Sequence, residues 1–415
     1  MVPKGWTHTT FDKHVDCLTG FAFKSDSYSN VEDDIRLLRG DNIEPGNLRW
    51  RDAKYWPNGE LDNLEKYQLA DGDFVIALDR TWISSGLKVA EVTSSDLPCL
   101  LVQRVARIRA KATLEQSLLR QYFSGHRFEQ HVKSVQTATA VPHISPNDIK
   151  EFTVSLPPLS EQKKIAKILS TWDKAISTTE QLLANSQQQK KALMQQLLTG
   201  KKRLLDNNGV RFSGEWVHGR LGELCTFKGG SAFKEEYQGH SEGDLPFIKV
   251  SDMNLRGNEK YIGHANNWVT NETAREIKAK AFPKDAIVFA KVGAALLLNR
   301  RRILLHPTII DNNMMAAIPT SSGDTEFIYQ LMLAVDFAKF VQDGAVPSVN
   351  QGDLASFKIT YPKKEEQQKI AAVLSTADQE ISALQQKLAA LKQEKKALMQ
   401  QLLTGKRRVK VEEAA

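Results

Sequence analysis

The sequence has none of the features that mark a membrane protein, a secreted disulfide scaffold or a zinc protein. It has no apolar run of ~18 residues, the length at which a helix spans a bilayer. Its first residues, MVPKGWTHTT, lack the apolar segment of a signal peptide. Its three cysteines, Cys17, Cys99 and Cys225, are isolated and show no CxxC spacing. We therefore expect a cytoplasmic protein that needs no disulfide, metal or membrane.

Most motifs that carry common catalytic chemistry are also missing. Neither GxxxxGK[ST] nor GxGxxG occurs, so the usual phosphate-binding loops are not predicted. HExxH is absent, and with it the two-histidine helix of zinc proteases. An amino-methyltransferase is expected to carry an NPPY-like tetrapeptide, but the only double proline, Pro157-Pro158, is followed by Leu-Ser. We predict no catalytic residue and no metal ligand in this chain.

A long internal repeat is the main positive signal. The segment KKALMQQLLTGK at 190–201 recurs unchanged at 395–406, an offset of 205 residues. Upstream of it, LPPLSEQKKIAKILSTWDKAIS parallels YPKKEEQQKIAAVLSTADQEIS. Because an internal repeat sets the architecture, it predicts two copies of one unit. The predicted parts are a globular domain at 1–155, a helix at 156–205, a second domain at 206–360, a second helix at 361–408 and a tail at 409–415.

The globular parts repeat only faintly. Gly20–Lys24 matches Gly230–Lys234, and Ile35–Asp41 resembles Phe247–Asp252. Short apolar and β-branched runs between turn residues predict strands, and two longer segments predict helices. This pattern favours α/β or α+β domains with long loops. The predicted strands are Ile35–Leu38, Phe74–Leu78, Leu100–Val105, Phe247–Val250, Ile287–Phe289 and Thr308–Ile310, and the helices are Leu114–Phe123 and Phe327–Phe340.

The two helical segments carry heptad seams. Apolar residues recur at alternating steps of four and three from Ile165 to Leu197 and again from Ile370 to Leu402. A narrow seam on a helix of about 40 residues needs a partner helix. Since a whole domain separates the copies, we expect them to pair antiparallel with pseudo-two-fold symmetry. Lys190 and Lys395 fall on the seam, where we expect them either to reach solvent or to contact an external partner.

Charge is unevenly distributed over the chain. The net charge is +7, yet residues 1–155 carry 19 Lys and Arg against 21 Asp and Glu, and residues 206–360 carry 17 against 18. The helical segments carry the excess, with 9 against 3 in 156–205 and 11 against 7 in 361–415. The domains are thus nearly neutral. If they bind nucleic acid, they must do so through local patches and not through bulk charge.

Basic, amide and aromatic residues in predicted loops are the candidates for nucleic-acid contact. Arg can contact guanine through two hydrogen bonds, and Asn or Gln can contact adenine in the same way. For each single position an ordinary surface role remains the alternative, and the apolar flanks of the 300–302 triplet allow one arginine to point inward. The candidates are Arg39, Asn42, Arg51, Lys54, Trp56, Arg80, Gln103, Arg104, Lys249, Lys260, Lys291, Asn299, Arg300, Arg301, Arg302 and Asn312.

This layout resembles the specificity subunit of type I restriction-modification systems. The resemblance rests on the PKGW start at Pro3–Trp6, the LPPLSEQ segment at Leu156–Gln162, and helices ending LLTGKK and LLTGKRR. It implies two target-recognition domains that each read one half of a bipartite asymmetric site in double-stranded DNA. It also implies that the helices set the spacer and dock two methyltransferase subunits, which restriction subunits join. Partner-binding candidates in the repeated run are Lys190, Leu193, Leu197, Lys395, Leu398 and Leu402.

The chemistry implied by the resemblance belongs to the partners. It comprises adenine N6 methylation with S-adenosylmethionine, and ATP- and Mg-dependent translocation with cleavage. Three alternatives stay open: a specificity subunit of another methyltransferase-linked defence system, a coiled-coil scaffold that does not bind DNA, and an enzyme with an unrecognised motif. The second helical segment begins with Tyr361–Lys364, which departs from Leu156–Leu159 in the first, so the two helix starts offer different side chains for docking.

Overall fold

Two helices of 39 residues, Leu159–Leu197 and Lys364–Leu402, are named here the first and second long helix. The computed structural model describes residues 3–341 and 347–411, so parts of both predicted domains and residues 412–415 of the predicted tail lie outside the described residues. The chain divides into unit 1, Met1–Glu180 with Gln386–Ala415, and unit 2, Gln181–Gln385. Each unit therefore holds one globular domain and a part of each long helix.

The long helices begin and end as the repeat predicts. Pro158 precedes the first one, and its carbonyl accepts the amide of Gln162 in the first turn. Both helices stop at a glycine in the left-handed region, Gly200 and Gly405, each with φ of 72°. Just beyond Gly200, the Lys202 amide donates to the Gln196 carbonyl at 3.1 Å, which satisfies a carbonyl in the last turn of the helix. The shared Thr-Gly pair is therefore a true stop signal.

Within each unit the two long helices run antiparallel. In unit 1, Lys395 pairs with Asp173 and Lys392 pairs with Glu180, so numbers fall along one helix as they rise along the other. In unit 2, Lys190 pairs with Asp378. The predicted antiparallel pairing is confirmed. Apolar seam residues close the interface, and those without exposed surface are Ile165, Leu169, Leu197, Ile370 and Leu374.

The first domain is built on three sheets. A four-stranded antiparallel sheet has the order Val89–Glu91, Phe74–Ala77, Val105–Ala110 and Val15–Thr19. A three-stranded sheet has the order Cys99–Leu101, Ile35–Leu38 and Lys54–Trp56. Thr7–Thr10 pairs with Thr153–Leu156, which places the first and last strands of the domain side by side at the start of the first long helix. The helices are Gln116–Phe123, His126–Val135 and Pro146–Lys150, and two small hairpins pair Ile43–Glu44 with Asn47–Leu48 and Trp82–Ile83 with Gly86–Leu87.

The second domain repeats this plan. A five-stranded sheet has the order Cys225–Gly229, Met314–Pro319, Ile287–Ala290, Arg302–Leu304 and Tyr261–Ile262. A three-stranded sheet has the order Trp268–Val269, Leu245–Ile248 and Ile309–Ile310, and Val217–Arg220 pairs with Lys358–Tyr361. The helices are Leu221–Leu224, Asn271–Glu276, Ala294–Leu297, Thr325–Ala334 and Gln351–Ser356. Five of the six predicted strands are present with bounds that differ by at most two residues. The sixth, Leu100–Val105, is wrong as a single strand, because it covers the end of Cys99–Leu101, a turn at 102–104 and the start of Val105–Ala110. Helix His126–Val135 was missed, since its apolar residues are few.

The repeated GxAFK motif has a packing reason. The Gly20 amide donates to the Val105 carbonyl, and a Cβ at Gly20 would stand 2.2 Å from the Val102 carbonyl oxygen. In unit 2, Gly230 makes the matching bond to Met314, and its Cβ would stand 2.0 Å from the Asp311 carbonyl oxygen. Only glycine allows backbone segments to approach this closely.

The structure corrects one detail of the faint repeat. Strand Ile35–Leu38 is equivalent to Leu245–Ile248, because each pairs parallel with the strand that precedes the same turn. Asn42 therefore matches Asp252, and not Asp41 as the sequence comparison suggested. Both side chains accept a hydrogen bond from the backbone amide three residues earlier, that of Arg39 or Lys249. The two copies share a turn-capping acceptor at this position, and not a charge.

We predict that Gly20→Ala destabilises the first domain by about 2 kcal/mol or more, since the new methyl group meets the Val102 carbonyl and cannot be accommodated without moving the backbone. Urea unfolding followed by fluorescence measures the change. Gly59→Ala is the control, because no atom lies within 4 Å of the Cβ position there. Equal midpoints for the two variants would contradict the packing account.

Candidate nucleic-acid interface

In unit 1, three of the predicted contact residues meet at one end of the four-stranded sheet. Ala77 and Val105 face each other at the ends of neighbouring strands, so the turns that follow Ala77 and precede Val105 are adjacent. The Leu78 amide donates to the Arg104 carbonyl at 2.9 Å, which joins the two turns. We call residues 78–81 and 102–104 the paired turns of unit 1. Arg80, Gln103 and Arg104 lie on them with exposed side chains.

Unit 2 has paired turns at the equivalent place, residues 291–294 and 311–313. Ala290 faces Met314, and the Lys291 amide donates to the Asn313 carbonyl at 2.9 Å. Lys291 and Asn312 were both predicted from sequence, and the structure brings them to this one site. Asn312 is exposed and Lys291 is half-buried. The frame is therefore the same in the two units, while the side chains differ.

Charge on the paired turns of unit 1 is organised by an ion pair. Arg104 Nη1 lies 3.4 Å from Asp79 Oδ1, and the Arg104 side chain remains two-thirds exposed. Arg80 makes no side-chain hydrogen bond or ion pair within residues 3–341 and 347–411. Exposed guanidinium groups held at a sheet end suit contact with phosphates or with base edges.

Other predicted residues of unit 1 lie elsewhere on the surface. Arg51 is largely exposed and stands 3.9 Å from Asp52, and Lys54 is exposed on strand Lys54–Trp56. Arg39 pairs with Asp41 at 2.9 Å. Nucleic-acid contact by these three residues stays a prediction.

Two predictions in unit 1 are wrong for a direct contact. Trp56 is buried against Phe23, with ring centroids 4.8 Å apart, and its Nε1 donates to the Glu60 carbonyl. A ring packed in this way is not available to stack on a base. Asn42 is also buried, and its amide donates to the Arg49 carbonyl while its oxygen accepts from Arg39. Trp56 is therefore a core residue, and Asn42 is a residue that stabilises a turn.

The arginine triplet of unit 2 splits into three roles. Arg300 is exposed and donates to Asn254 Oδ1. Nucleic-acid contact by Arg300 stays a prediction. Arg301 has no exposed surface, and its guanidinium lies 3.8 Å from the Phe337 ring centroid. Burial lowers the pKa of Arg301 to about 10, against the opposing charges of Asp336 and Tyr329. The prediction that Arg301 contacts DNA is therefore wrong, and its apolar flanks were the signal.

Three further residues of unit 2 serve internal contacts. Both ends of the Asn299 side-chain amide make internal hydrogen bonds. Its Nδ2 donates to the Val335 carbonyl and its Oδ1 accepts from the Phe337 backbone amide. Arg302 donates to the carbonyls of Arg301 and Met253, and burial lowers its pKa. Lys249 Nζ donates to Gln238 Oε1 at 2.9 Å. Asn299 and Arg302 are corrected to structural residues, whereas Lys249 is half-buried and remains a candidate.

Lys260 belongs to the base of its domain. Its Nζ lies 2.6 Å from Glu326 and 3.6 Å from Asp378 on the second long helix. Burial alone would lower its pKa, but the hydrogen bond to Glu326 and the nearby charges of Tyr261 and Asp378 raise the pKa above its ordinary value. Lys260 is thus a charged residue that links the second domain to the second long helix through ion pairs. The prediction that it contacts DNA is wrong.

The seam lysines form a buried junction in each unit. In unit 1, Asp173 accepts from Lys395 Nζ at 2.6 Å and from Gln121 Nε2 at 2.7 Å. Lys395 is 8% exposed and Gln121 is fully buried. This junction joins the first domain to both long helices. The expectation that Lys395 reaches solvent or an external partner is wrong.

The same junction recurs in unit 2. Asp378 accepts from Lys190 Nζ at 2.5 Å and from Gln330 Nε2 at 2.6 Å, and Gln330 is fully buried. Lys190 therefore has the same internal role as Lys395. Two further predicted partner residues, Leu197 and Leu402, are buried within their own units, so they too are corrected. Leu193 and Leu398 are half-buried and remain predictions for partner binding.

An arginine clamp lies near the start of one long helix in each unit, 12 residues before the junction carboxylate. Arg408 makes two hydrogen bonds to Glu161, at 2.7 and 2.8 Å, and Trp6 Nε1 donates to the same carboxylate at 3.1 Å. In unit 2, Arg203 makes two bonds to Glu366, at 2.6 and 2.7 Å. The hydrogen bond to the carboxylate raises the pKa of each arginine.

Sequence reasoning missed these junction and clamp residues as a set. The signal was present, because Glu161, Gln162 and Asp173 recur at the same offset as Glu366, Gln367 and Asp378. Gln162 accepts the Glu115 amide and Gln367 accepts the Asp324 amide, so this pair also fastens each domain to a helix. The residues that recur in both copies are thus the ones that fasten the long helices to each other and to the domains.

One catalytic pattern does occur in the sequence. Gly239–Gly243 reads GHSEG, a match to GxSxG. A nucleophile elbow needs a strand before the serine and a helix after it. Here the segment is an exposed loop that precedes strand Leu245–Ile248, so the context does not fit.

Neither a membrane span nor a metal centre is found within the described residues, 3–341 and 347–411. No helix there is both long and apolar enough to span a bilayer. No group of three or more His, Cys, Asp or Glu side chains there is arranged to hold a metal ion. The three cysteines are free thiols, and burial raises the pKa of Cys17 to about 11 and the pKa values of Cys99 and Cys225 to about 12.

We predict that Lys395→Met destabilises unit 1 by about 1–3 kcal/mol, because it leaves the partly buried Asp173 carboxylate without its cation. Adding Asp173→Asn should recover part of that loss, since a neutral amide needs no counter-charge and its oxygen can still accept from Gln121. Lys396→Met is the matched control, a neighbouring exposed lysine of the same repeated run. Urea unfolding midpoints measure all four proteins. A double variant no more stable than the single one would contradict the junction.

Comparison with known proteins gives consistent findings. The sequence model of one family, described as the type I restriction modification DNA specificity domain, matches residues 33–185 and 213–393. The EcoAI type I restriction enzyme specificity subunit of Escherichia coli is 37% identical over 182 residues, 44% of this chain and 30% of that subunit. The EcoBI specificity subunit of Escherichia coli is 23% identical over 393 residues, 88% of this chain and 77% of that subunit.

A solved structure shares the fold. The S subunit of a type I restriction-modification system from M. genitalium superposes with a TM-score of 0.61 at 15% identity, over 97% of this chain and 96% of that one. At that identity the likeness concerns the fold alone. The chain spans less than a third of the length of the EcoAI subunit that it matches.

Proposed function

This chain belongs to the family of type I restriction modification DNA specificity domains, and from that premise we propose that it is the DNA sequence-recognition subunit of a type I restriction-modification complex. In this proposal each globular domain reads one half of a bipartite, asymmetric site in double-stranded DNA. The adenine N6 methylation with S-adenosylmethionine and the ATP- and Mg-dependent cleavage belong to partner subunits.

One observation supports this proposal above the others. The two domains keep the same backbone frame at their paired turns, yet they present different side chains there. A scaffold that binds one protein twice would be expected to keep the contact residues and not only the frame. Divergent polar side chains on a repeated frame suit two different DNA sequences.

The long helices suit a spacing role. Asp173 and Lys190 lie 17 residues apart on the first long helix, and Asp378 and Lys395 lie 17 residues apart on the second. Helical segments of equal length thus connect the two junctions. In our proposal this length sets the unread spacer between the half-sites.

The same helices are proposed to dock two methyltransferase subunits, which restriction subunits then join. Leu193 and Leu398 remain the candidates for that contact, because they lie at equivalent places in the repeated run and keep some exposed surface. The nearly neutral domains carry few net positive charges for phosphate contact, so tight DNA binding is proposed to require the methyltransferase subunits.

We predict that replacing residues 1–155 with the equivalent domain of another family member changes one half of the methylated motif and leaves the other half intact. The physical reason is that each domain has its own core and its own paired turns. Methylome sequencing of cells that also produce the methyltransferase partner gives the motif. A motif altered in both halves would show that reading is not modular, and an unaltered motif would refute reading by this domain.

A second prediction concerns spacing. Inserting one heptad after Gln188 and one after Gln393 should lengthen the spacer by about three base pairs, because seven residues add ~10.5 Å of helix and a base pair adds ~3.4 Å. A heptad keeps the seam in phase. Insertion in one helix only is the control, and it should abolish methylation because it breaks the match between the junctions. An unchanged spacer in an active double insertion would refute the ruler.

A further inference from the structure

We propose that Arg80 and Arg104 are the residues that read guanine in the half-site bound by the first domain. This inference rests on the proposed DNA-reading function and names the residues and the base that give one half of its specificity. It is carried by the conformation of the paired turns of unit 1, compared with the same turns of unit 2.

The two sets of paired turns match residue by residue. Ala77 and Ala290 end equivalent strands, so Arg80 and Gly293 both stand three residues further along the chain. Their environments also match, since the Arg80 amide donates to the Pro142 carbonyl and the Gly293 amide donates to the Pro347 carbonyl. On the second turn, Arg104 matches Asn313, because their carbonyls accept the equivalent amides of Leu78 and Lys291.

Both arginines are held in the left-handed region of the backbone. Arg80 has φ of 47° and Arg104 has φ of 66°. This conformation crowds the Cβ of a long side chain, and glycine or asparagine adopts it with less strain. Unit 2 has glycine at the first of these places, with φ of 73°. At the second place it has Asn313, which is not in the left-handed region. Unit 1 therefore keeps an arginine at a place where the same frame accommodates a glycine, and it holds a second arginine in the left-handed region on the adjacent turn.

Nothing within the described residues offsets this strain at Arg80. Its side chain is exposed and makes no hydrogen bond, ion pair or ring contact there. Arg104 has one contact, the 3.4 Å pair with Asp79, which orients the guanidinium while leaving it two-thirds exposed. Strained residues cluster at ligand-binding sites, and here two strained, exposed arginines lie on adjacent turns at one end of a sheet.

The chemistry of the ligand follows from the side chains. A guanidinium offers two parallel N–H donors that match O6 and N7 of guanine in the major groove, and an amide matches the edge of adenine. Two arginines on the paired turns of unit 1 therefore specify guanine. The amides at 312 and 313 in unit 2 cannot make the same contact, which is why the two halves of the site differ.

The test grafts the residues of unit 2 into unit 1. Arg80→Gly, Arg104→Asn and the double variant are made in the full chain and produced together with the methyltransferase partner. We expect unfolding midpoints equal to or above that of the wild type, because the strain is relieved. Methylation of the original motif should fall about 5- to 150-fold per arginine, with one guanine position of the first half-site becoming degenerate. The second half-site should remain unchanged.

Asp52→Gly is the matched control. Asp52 is exposed and has φ of 59°, so the substitution relieves the same kind of strain away from the paired turns and should leave the motif intact. The inference is overturned if the arginine variants keep the full motif, if methylation weakens equally on all sequences as for a phosphate contact, or if the first half-site has no guanine. If the domain exchange changes this half-site and the arginine variants do not, only this inference fails. If the exchange itself leaves the motif unaltered, the proposed function fails as well.

Discussion

The buried junction between a carboxylate, a lysine and a glutamine is the contact on which the rest of each unit depends. Asp173 holds Lys395 and Gln121 in unit 1, and Asp378 holds Lys190 and Gln330 in unit 2. A lysine buried in a heptad seam is costly unless a carboxylate neutralises its charge. Only one alignment of the two helices brings that carboxylate next to the lysine. The junction therefore selects one alignment of the helices, and it orients the domain that supplies the glutamine.

This constraint gives a physical reason for the identity of the repeated run. The C-terminal part of each long helix contacts the N-terminal part of the other, so each copy of KKALMQQLLTGK faces a copy of the same carboxylate. The clamps continue the pattern, since Arg203 and Arg408 follow the run and contact Glu366 and Glu161. A substitution in one copy of the run would require a compensating substitution in the carboxylate that the run contacts. This requirement favours two copies that stay alike. The side chains on the paired turns differ between the two copies.

The framework and the reading residues thus follow different rules. Framework positions, such as Gly20 and Gly230, are dictated by backbone approach and recur in both units. The paired turns are constrained only in backbone path, and the side chains on them are free to differ. Arg80 and Arg104 show this freedom at its limit, because they occupy conformations that favour smaller residues.

The sequence by itself determined the architecture: two copies, two α+β domains, two long antiparallel helices and their glycine stops. These follow from the periodicity of apolar residues and from an exact repeat, both of which can be seen in the sequence without knowing which residues touch. It also pointed to Arg80, Gln103, Arg104, Lys291 and Asn312, which the structure gathers at equivalent sites. Only the tertiary structure decided that Trp56, Asn42 and Arg301 are buried and that Lys190 and Lys395 are paired. The Asp173–Lys395 pair, for example, joins residues that are 222 positions apart. No local pattern reports which distant side chain will cover an arginine or neutralise a lysine, since that is decided when the domains pack on the helices.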